Sequence, residues 1–589
     1  MVQSMVIELM MKLGLILQKH RWALVLALLT SIIVAFPQVY FRIDHKDDGI
    51  YQGIELLPDS PRSALAREVL DGHPGMGNVY YKDGKDGPYL WQPLQPMVVG
   101  YMGELFGLDI NNTLLLSRVV LSFVVSLLLY AFVFLLSADK LLALSSAAVI
   151  LLGDSVISFS GLSRIFSGLG PVNFLQLSRP VNPVMTYIPF FAFLIAFWLF
   201  YQKRNWRYGI ASAVLLGLNF YNYFYTWTFL YAFGGVLVLS FLIQRKWRES
   251  VKLAGVFVGG LLVAIPYFIN LYRASMYPTF TEASARFGLV LSHAPIFVGF
   301  TTIAALMIFL IGFPREDKER YFFGLALLLT AFVTHNQQIL TGRIMQVDHY
   351  HWFFNKPLAL IMILFVIFHF LTSRGLIFYK KSLAVVIILA SIFTGMFTQV
   401  ISYFSDWRDG GEIAIERQKY GPVMRWLSEH AQKEAVVLAN NEVSHLTVIY
   451  TPLNVFYHRV AGNSLAATKE RLLEVVATLY RLEKVEEDTA RDRFFADRAY
   501  LSSNIYGIYY REALGSYEAI PDEKIEEFVR FYTKTLETPD SRWLQEVFDK
   551  YEIEYIIWDK KTDPTWDLDR YNFLEKSVEF GEVAIYHKA

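Results

Sequence analysis

The chain has no cysteine, which excludes disulfides, thiolate metal sites and a cysteine nucleophile while leaving the redox compartment open. Neither sign of charge is in excess: 54 Lys and Arg balance 54 Asp and Glu, so no global field points to a nucleic-acid partner. The polar tail lacks GxGxxG, GxxxxGK[ST] and HExxH, so no nucleotide or zinc-protease signature is present there. No internal repeat is evident, which weighs against a secondary transporter built from inverted halves. What the sequence has in abundance is apolar surface. Its 589 residues are 54% hydrophobic and 16% aromatic, with a mean hydropathy of +0.34, and this composition belongs to a polytopic membrane protein.

Spans need roughly 20 apolar residues each. About eleven are expected: 22–41, 113–136, 142–159, 183–201, 208–221, 223–243, 253–271, 295–313, 321–334, 357–371 and 383–402. The run at 22–41 follows Lys19-His20-Arg21 and is not succeeded by a small-residue cleavage site, so it reads as a retained first span with a cytoplasmic N-terminus. Residues 2–17 read as an amphipathic helix on the cytoplasmic leaflet. Asn219-Phe220-Tyr221-Asn222-Tyr223 reads as a tight polar turn between two short helices. Alternate short loops carry Lys203/Arg204/Arg207, Arg245/Lys246/Arg248/Lys252, Arg315/Lys318/Arg320 and Arg374/Lys380/Lys381. Basic loops stay inside, which places 42–112, 160–182, 272–293, 335–356 and the tail outside.

The first external loop, 42–112, is longer than a connector. It reads as a helix over 63–70, stopped at Asp71-Gly72, and a second over 96–106, both lying along the outer membrane surface. The tail alternates like a soluble α/β domain. Strands are expected at 435–439, 454–458, 554–558 and 582–586, and helices at 423–431, 444–450, 468–482, 525–536 and 543–551. The expected fold is therefore an α-helical transmembrane module, 1–402, followed by an extracytoplasmic α/β domain, 403–589.

Immediately beyond the first span lies Asp44-His45-Lys46-Asp47-Asp48-Gly49-Ile50-Tyr51. A carboxylate pair where a hydrophobic helix leaves the bilayer sits at membrane depth yet is reachable by water, which suits a base that deprotonates a polar acceptor beside a lipid-borne donor. A solvated juxtamembrane turn is the bland alternative.

Five pieces then fall in one order: Asp47-Asp48-Gly49-Ile50-Tyr51, Ala66-Arg67-Glu68-Val69-Leu70-Asp71-Gly72, Pro88-Tyr89-Leu90-Trp91-Gln92-Pro93-Leu94, Gly103-Glu104-Leu105-Phe106-Gly107 and Ser117-Arg118. That order resembles the first-loop pattern of the C-fold (GT-C) glycosyltransferases, the superfamily of protein O-mannosyltransferases and lipid A aminoarabinose transferases. The similarity covers about the first 120 residues and the layout of many spans with an external C-terminal domain. Asp47 and Asp48 match the family's acidic pair and Tyr51 its downstream tyrosine. The chain departs from the pattern in carrying Asp-Asp where those enzymes usually carry Asp-Glu, with Asp44 close by.

The resemblance implies inverting transfer of a sugar from a polyprenyl-phosphate carrier to a hydroxyl or amine of a glycan, lipid or protein outside the cytoplasm, with Asp47 as general base and Asp48 as neighbour or alternate. The implied setting is a prokaryotic plasma membrane. A phosphate leaves without protonation, so one carboxylate base is enough. The developing negative charge calls for cations, arginine above all. Arg164 and Arg179 rank first, in a polar loop with Asn173 and Asn182. Arg273, Arg286, Arg343 and Lys356 share the reactive face, although external cations are commonly interfacial anchors. In 335–352, Asn336, Gln338, Arg343, His349 and His351 are expected to bind sugar or carrier phosphate, with Tyr350 and Trp352 covering a ring face; an aromatic belt with polar ends is the alternative. Asp154, near an outer span end, and Asp44 are secondary candidates. Asp348, His349 and His351 are metal-capable, but the second external loop has no Asp-x-Asp partner, so no cofactor is required and a divalent ion is only an option. Residues 220–227 are aromatic enough to line a prenyl groove or simply to pack.

Two other classes compete. A transporter or flippase of lipid-linked saccharide predicts charges midway along spans, where only Arg118, Asp154 and His369 qualify. A degenerate relative that binds carbohydrate through its tail is the third reading.

Overall fold

The computed structural model describes residues 17–56, 61–153, 163, 167, 173–344, 346–404, 411–509 and 520–589. Each expected apolar run carries a helix, and the run at 142–159 is helical from Lys140 to Leu152 before it leaves the described residues. Among the described residues, six helices are long and apolar enough to cross a membrane: Arg21–Asp44, Ile110–Ser137, Val184–Lys203, Phe224–Ile243, Asp348–Ser373 and Ile377–Tyr403. A seventh span forms if Trp247–Val263 and Ile265–Ser275, bent by 52°, count as one. Among the described residues the expected eleven thus stand at six to seven by length and apolarity, because Lys140–Leu152 and Phe300–Gly312 have 13 residues each, Trp206–Asn222 has 17, and Lys318–Asn336 is polar at both ends. The chain is an integral membrane protein.

Local chemistry explains the breaks. Asp109 and Asp139 cap the helices that follow them, each accepting backbone N–H bonds. The bend at Ala264 coincides with Pro266 in the first turn of the second helix, where a missing N–H and the ring displace the helical ladder. Tyr221 Oη donates to the Val263 carbonyl and accepts from Tyr267 N, both at 3.2 Å, filling groups the bend exposes. Small polar residues bring helices close. Ser31 Oγ donates to the Val119 carbonyl at 2.9 Å, and Ser122 Oγ lies 3.3 Å from it, at the contact between Arg21–Asp44 and Ile110–Ser137. At Gly234 a Cβ would strike the Phe257 ring.

Two short strands, β1 (Val290–Leu291) and β2 (Arg343–Ile344), pair antiparallel and join two of the long loops. The C-terminal region builds a five-stranded sheet from β3 (Val436–Leu438), β4 (Asn454–Val455), β5 (Ile553–Asp559), β6 (Leu574–Phe580) and β7 (Val583–Lys588), in the order β4-β3-β5-β7-β6. β3 is parallel to both β4 and β5, and the remaining pairs are antiparallel. Period-2 alternation divides the two faces. Val436, Leu438 and Ile556 pack with Val475, Leu479 and Phe548 on one side, while Val437, Ile557 and Ile585 pack with Val423, Leu427 and Leu446 on the other.

The first loop is sandwiched between bundle and sheet. Gln418 brackets Ile54, accepting from its N at 3.2 Å and donating to its carbonyl at 3.0 Å. Gln38 accepts from Leu56 N at 2.9 Å, and Tyr450 Oη from Glu55 N at 2.9 Å. Farther along, buried Glu68 and Lys85 pair at 2.7 Å, and burial pushes the Glu68 carboxyl up against the pull of that lysine. Arg471 stacks 3.6 Å over Tyr81 and bonds Asp83 at 3.1 Å. Helices Arg62–Leu70 and Leu94–Phe106 stand close to the expected 63–70 and 96–106.

Candidate functional site

The helix Arg62–Leu70 opens with a cation in its first position, directly after Pro61. That placement opposes the helix dipole and needs another reason, which lies across the bundle. With its amide oriented to suit its neighbours, Asn182 Oδ1 accepts from Arg62 Nη2 at 2.8 Å and Nε at 3.2 Å, while its nitrogen donates to Thr186 Oγ1 at 2.7 Å. Gln95 Nε2 donates to the same Thr186 hydroxyl at 3.0 Å. Gln95, Asn182 and Thr186 are all buried, so a closed relay fixes the Arg62 guanidinium, which also lies 5.8 Å over the Trp91 ring.

Arg179 follows the short turn Gln176–Ser178. Its charge and that of Arg62 both act on Tyr223 and His349. Tyr223 occupies the extended joint between Trp206–Asn222 and Phe224–Ile243, at φ −161°, so the polar turn read from the sequence delivers this side chain. The Tyr223 hydroxyl is hydrogen-bonded to His349 Nδ1, and Tyr225 lies 4.6 Å from the same imidazole, ring centre to ring centre. The phenol and imidazole are thereby in contact and within the field of two guanidinium groups, a set suited to an anionic oxygen cluster.

A second charged element ties this corner to the first loop. Arg118, 2% exposed, donates Nη1 and Nη2 to Glu55 at 2.7 and 2.8 Å and Nε to the Ser178 carbonyl at 2.5 Å, one residue before Arg179. Glu55 is fully buried. This fork-to-fork pair is saturated, so it holds position rather than offering a base.

The acidic corner lies where Arg21–Asp44 ends. His45 Nδ1 bonds Asp48 Oδ2 at 2.7 Å, and its Nε2 lies 3.8 Å from Asp44 Oδ2 and 3.5 Å from Tyr403 Oη. Asp47 is 86% exposed, with Lys46 at 3.7 Å. Tyr51, which matches the family's downstream tyrosine, packs on Gly421, where a Cβ would collide with its ring, and lies 5.1 Å below Arg425.

The polar loop at 335–352 differs most from expectation. Asn336 accepts from Ile296 N at 2.9 Å and donates to its carbonyl at 3.2 Å, and Gln338 donates to the Ala294 carbonyl at 2.9 Å. Both amides therefore hold loop backbone. Arg343 is exposed on β2. Lys356, 3% exposed, sits 4.6 Å over Trp352. Arg286 is spent on the Gly462 and Ala467 carbonyls, at 3.2 and 3.1 Å, and on Glu282. His349 and His351 diverge, the latter lying 6.5 Å from His335. Among the described residues no group of three His, Asp or Glu is arranged for a metal ion. Arg164 and Asp154 lie outside the described residues.

Of the expected set, Arg179, Asn182 and His349 come together. Arg62, Tyr223 and Glu55 were not foreseen as functional or paired groups. For Arg62 the signal was its unfavourable place at a helix start; for Tyr223 it was the polar turn itself.

No family model matches the sequence, and comparison with curated proteins finds no match. Among solved structures, the chain is similar to the Archaeoglobus fulgidus oligosaccharyltransferase tethered to an acceptor peptide (12% identity, TM-score 0.49, covering 93% of this chain and 70% of that one). It is similar to AglB, the oligosaccharyltransferase of the same archaeon, in complex with an inhibitory peptide and dolichol-phosphate (13%, 0.47, 97% and 75%). It is also similar to ArnT from Cupriavidus metallidurans bound to undecaprenyl phosphate (12%, 0.42, 75% and 86%).

Proposed function

We propose that the chain is an inverting glycosyltransferase that moves a sugar from a polyprenyl-phosphate carrier to an acceptor hydroxyl or amine on the extracytoplasmic side. The carrying observation is that the charges of Arg62, held on Asn182, and of Arg179 both act on the bonded Tyr223 and His349, at the first-loop end of an apolar bundle. A lipid phosphate arriving along the bundle would meet two forked cations, which stabilise the charge left on the departing phosphate. The partly buried Trp91 offers a ring face for the sugar. The acceptor O–H or N–H gives its proton to a carboxylate, its heavy atom bonds the anomeric carbon, and the carbon–oxygen bond to phosphate breaks with the electron pair leaving on phosphate.

Asp48, held at 2.7 Å by His45, is the proposed base, and the more exposed Asp47 its alternate. This reverses the order implied by the family resemblance. The scheme requires no metal. In this reading 1–402 is the catalytic module, with its first loop covered by 403–589, and the setting is a prokaryotic plasma membrane. A flippase is the weaker reading, because Arg118, the intramembrane cation it would employ, is saturated by Glu55 and Ser178.

The test uses proteoliposomes supplied with radiolabelled polyprenyl-phosphate sugars and a membrane extract as acceptor. Asp48→Asn is expected to lower transfer about 100-fold or more with membrane insertion unchanged. Full activity in both Asp48→Asn and Asp47→Asn would remove this corner from the mechanism.

A further inference from the structure

At the end of the bundle opposite the candidate site lies a cavity of about 860 Å³. The helix Arg21–Asp44 separates the two ends by about 36 Å, taking 1.5 Å per residue over its 24 residues. The cavity therefore belongs to neither the arginine corner nor the acidic corner. Its floor is apolar, formed by Phe134, Leu141, Phe365 and Phe368. Its rim carries Lys19, Lys140, Arg320 and Lys380 against Asp139, Glu316 and Asp317, with His369 alongside.

The acids at this rim are largely committed. Asp139 accepts from Leu141 N at 2.9 Å and Leu142 N at 3.3 Å, and it also pairs with Lys380. Asp317 accepts from Arg320 N at 3.2 Å and from Arg320 Nη1 at 2.7 Å. The cations keep donors in reserve. Arg320 Nε is buried with no partner among the described residues, a costly state for a charged donor. Among the described residues Lys140 Nζ reaches only the Lys19 carbonyl, at 3.0 Å. After the two ion pairs cancel, Lys19 and Lys140 stand against Glu316, so the rim retains positive charge and an orphaned guanidinium N–H.

The rim is continuous with lipid-facing surface. Ile377, Phe378 and Tyr379, next to Lys380, are 44%, 75% and 61% exposed. An apolar floor, a cationic rim and an outward apolar flank match an amphiphile with a phosphate head. We propose that this cavity binds the phosphodiester headgroup of an anionic bilayer phospholipid, with the upper acyl carbons against the phenylalanine floor. Under the orientation set by the basic loops, it opens to the cytoplasmic leaflet, where anionic lipid is concentrated. The proposal does not depend on the glycosyltransferase reading.

The experiment is native mass spectrometry of the full-length protein released from detergent, with phosphatidylglycerol, phosphatidylcholine or sn-glycerol 3-phosphate added. The wild type is expected to retain one phosphatidylglycerol at activation energies that strip phosphatidylcholine. The double variant Lys140→Ala/Arg320→Gln is expected to bind it about tenfold more weakly, whereas Lys246→Ala/Arg248→Ala, on another basic loop, binds as wild type does. Equal retention of the two lipids, or unchanged retention in the double variant, overturns the proposal. Displacement of the lipid by glycerol phosphate at equal concentration also overturns it, since the site would then select a soluble anion. Should the double variant fail to fold, Lys19→Ala, at an exposed position, carries the same expectation at smaller size.

Discussion

Two polar regions at the first-loop end of this bundle behave in opposite ways. The loop at 335–352 is the denser in amides, imidazoles and hydroxyls, yet Asn336 and Gln338 are consumed by the backbone of residues 294–296. The stretch from Arg179 to Tyr223 is sparser, yet with Arg62 it forms the convergent donor set. Polar density alone therefore does not mark a site. What separates the two is where each hydrogen-bonding group ends: on main chain in the first, and around a shared corner held from behind by a buried relay in the second.

The comparison can be broken first at Glu55. Glu55→Gln leaves Arg118 charged and half-paired in the interior, and a loss of about 3–5 kcal/mol is expected, read by thermal or denaturant unfolding in detergent. Replacing both partners with Leu should recover much of it; a double variant no more stable than the single one would show that the pair does more than anchor. Next come Arg62→Gln and Arg179→Gln, each expected to cut transfer about 100-fold with little change in melting temperature, while Arg343→Gln stays within about threefold. If all three fall together, the division between the two regions fails. Asn336→Ala should cost about 1–2 kcal/mol of stability and leave the apparent donor affinity unchanged, because its amide supports a loop. A selective rise in donor KM would return it to the site.

The smallest effect concerns pH and the C-terminal sheet. Burial chiefly, helped by the Asp559 charge and opposed by the Asn440 amide, pushes the Asp563 carboxyl up to about 6. Burial also works against charge on Asp559, but Lys419, Tyr420 and Thr562 outweigh it and hold that carboxyl at about 2. A raised carboxyl contributes stability that is full below its unfolded value of 3.8 and is lost as pH rises through about 6. A lowered one contributes stability above 3.8 that is lost as pH falls through about 2. The contribution of this pair should therefore peak near pH 4, and Asp563→Asn should flatten the fall in melting temperature between pH 4 and 7 by a few degrees. An unchanged slope would locate the dependence elsewhere.

Much of the fold was legible because apolar runs and alternation are local signals. Helices Lys469–Leu482 and Asp522–Leu536 and strands β3 and β5 fall close to where periodicity put them. The edge strand β6 was missed because Lys576 interrupts the alternation of Leu574, Val578 and Phe580, and Glu575, Ser577 and Glu579 face solvent. The charged helix Glu487–Ala496 was missed because only Ala490 and Phe494 are buried in it, and Arg498–Tyr506 because Leu501 and Ile505 are too few apolar positions to set a period over nine residues. The site was less legible, since the partner that fixes Arg62 lies at Asn182 and that of Arg118 at Glu55. Long-range pairing of this kind leaves no mark on neighbouring residues.

The brackets that Gln418 places around Ile54 tie the main-chain groups of that residue to a side-chain amide made 364 positions later. During synthesis the opening loop must wait, its peptide groups solvated, through the insertion of every later helix until its clasp arrives. A ribosome that stalls anywhere before residue 418 thus leaves a threaded bundle with an unfastened lid, and assembly of the reactive corner becomes one of the last events in the life of the nascent chain.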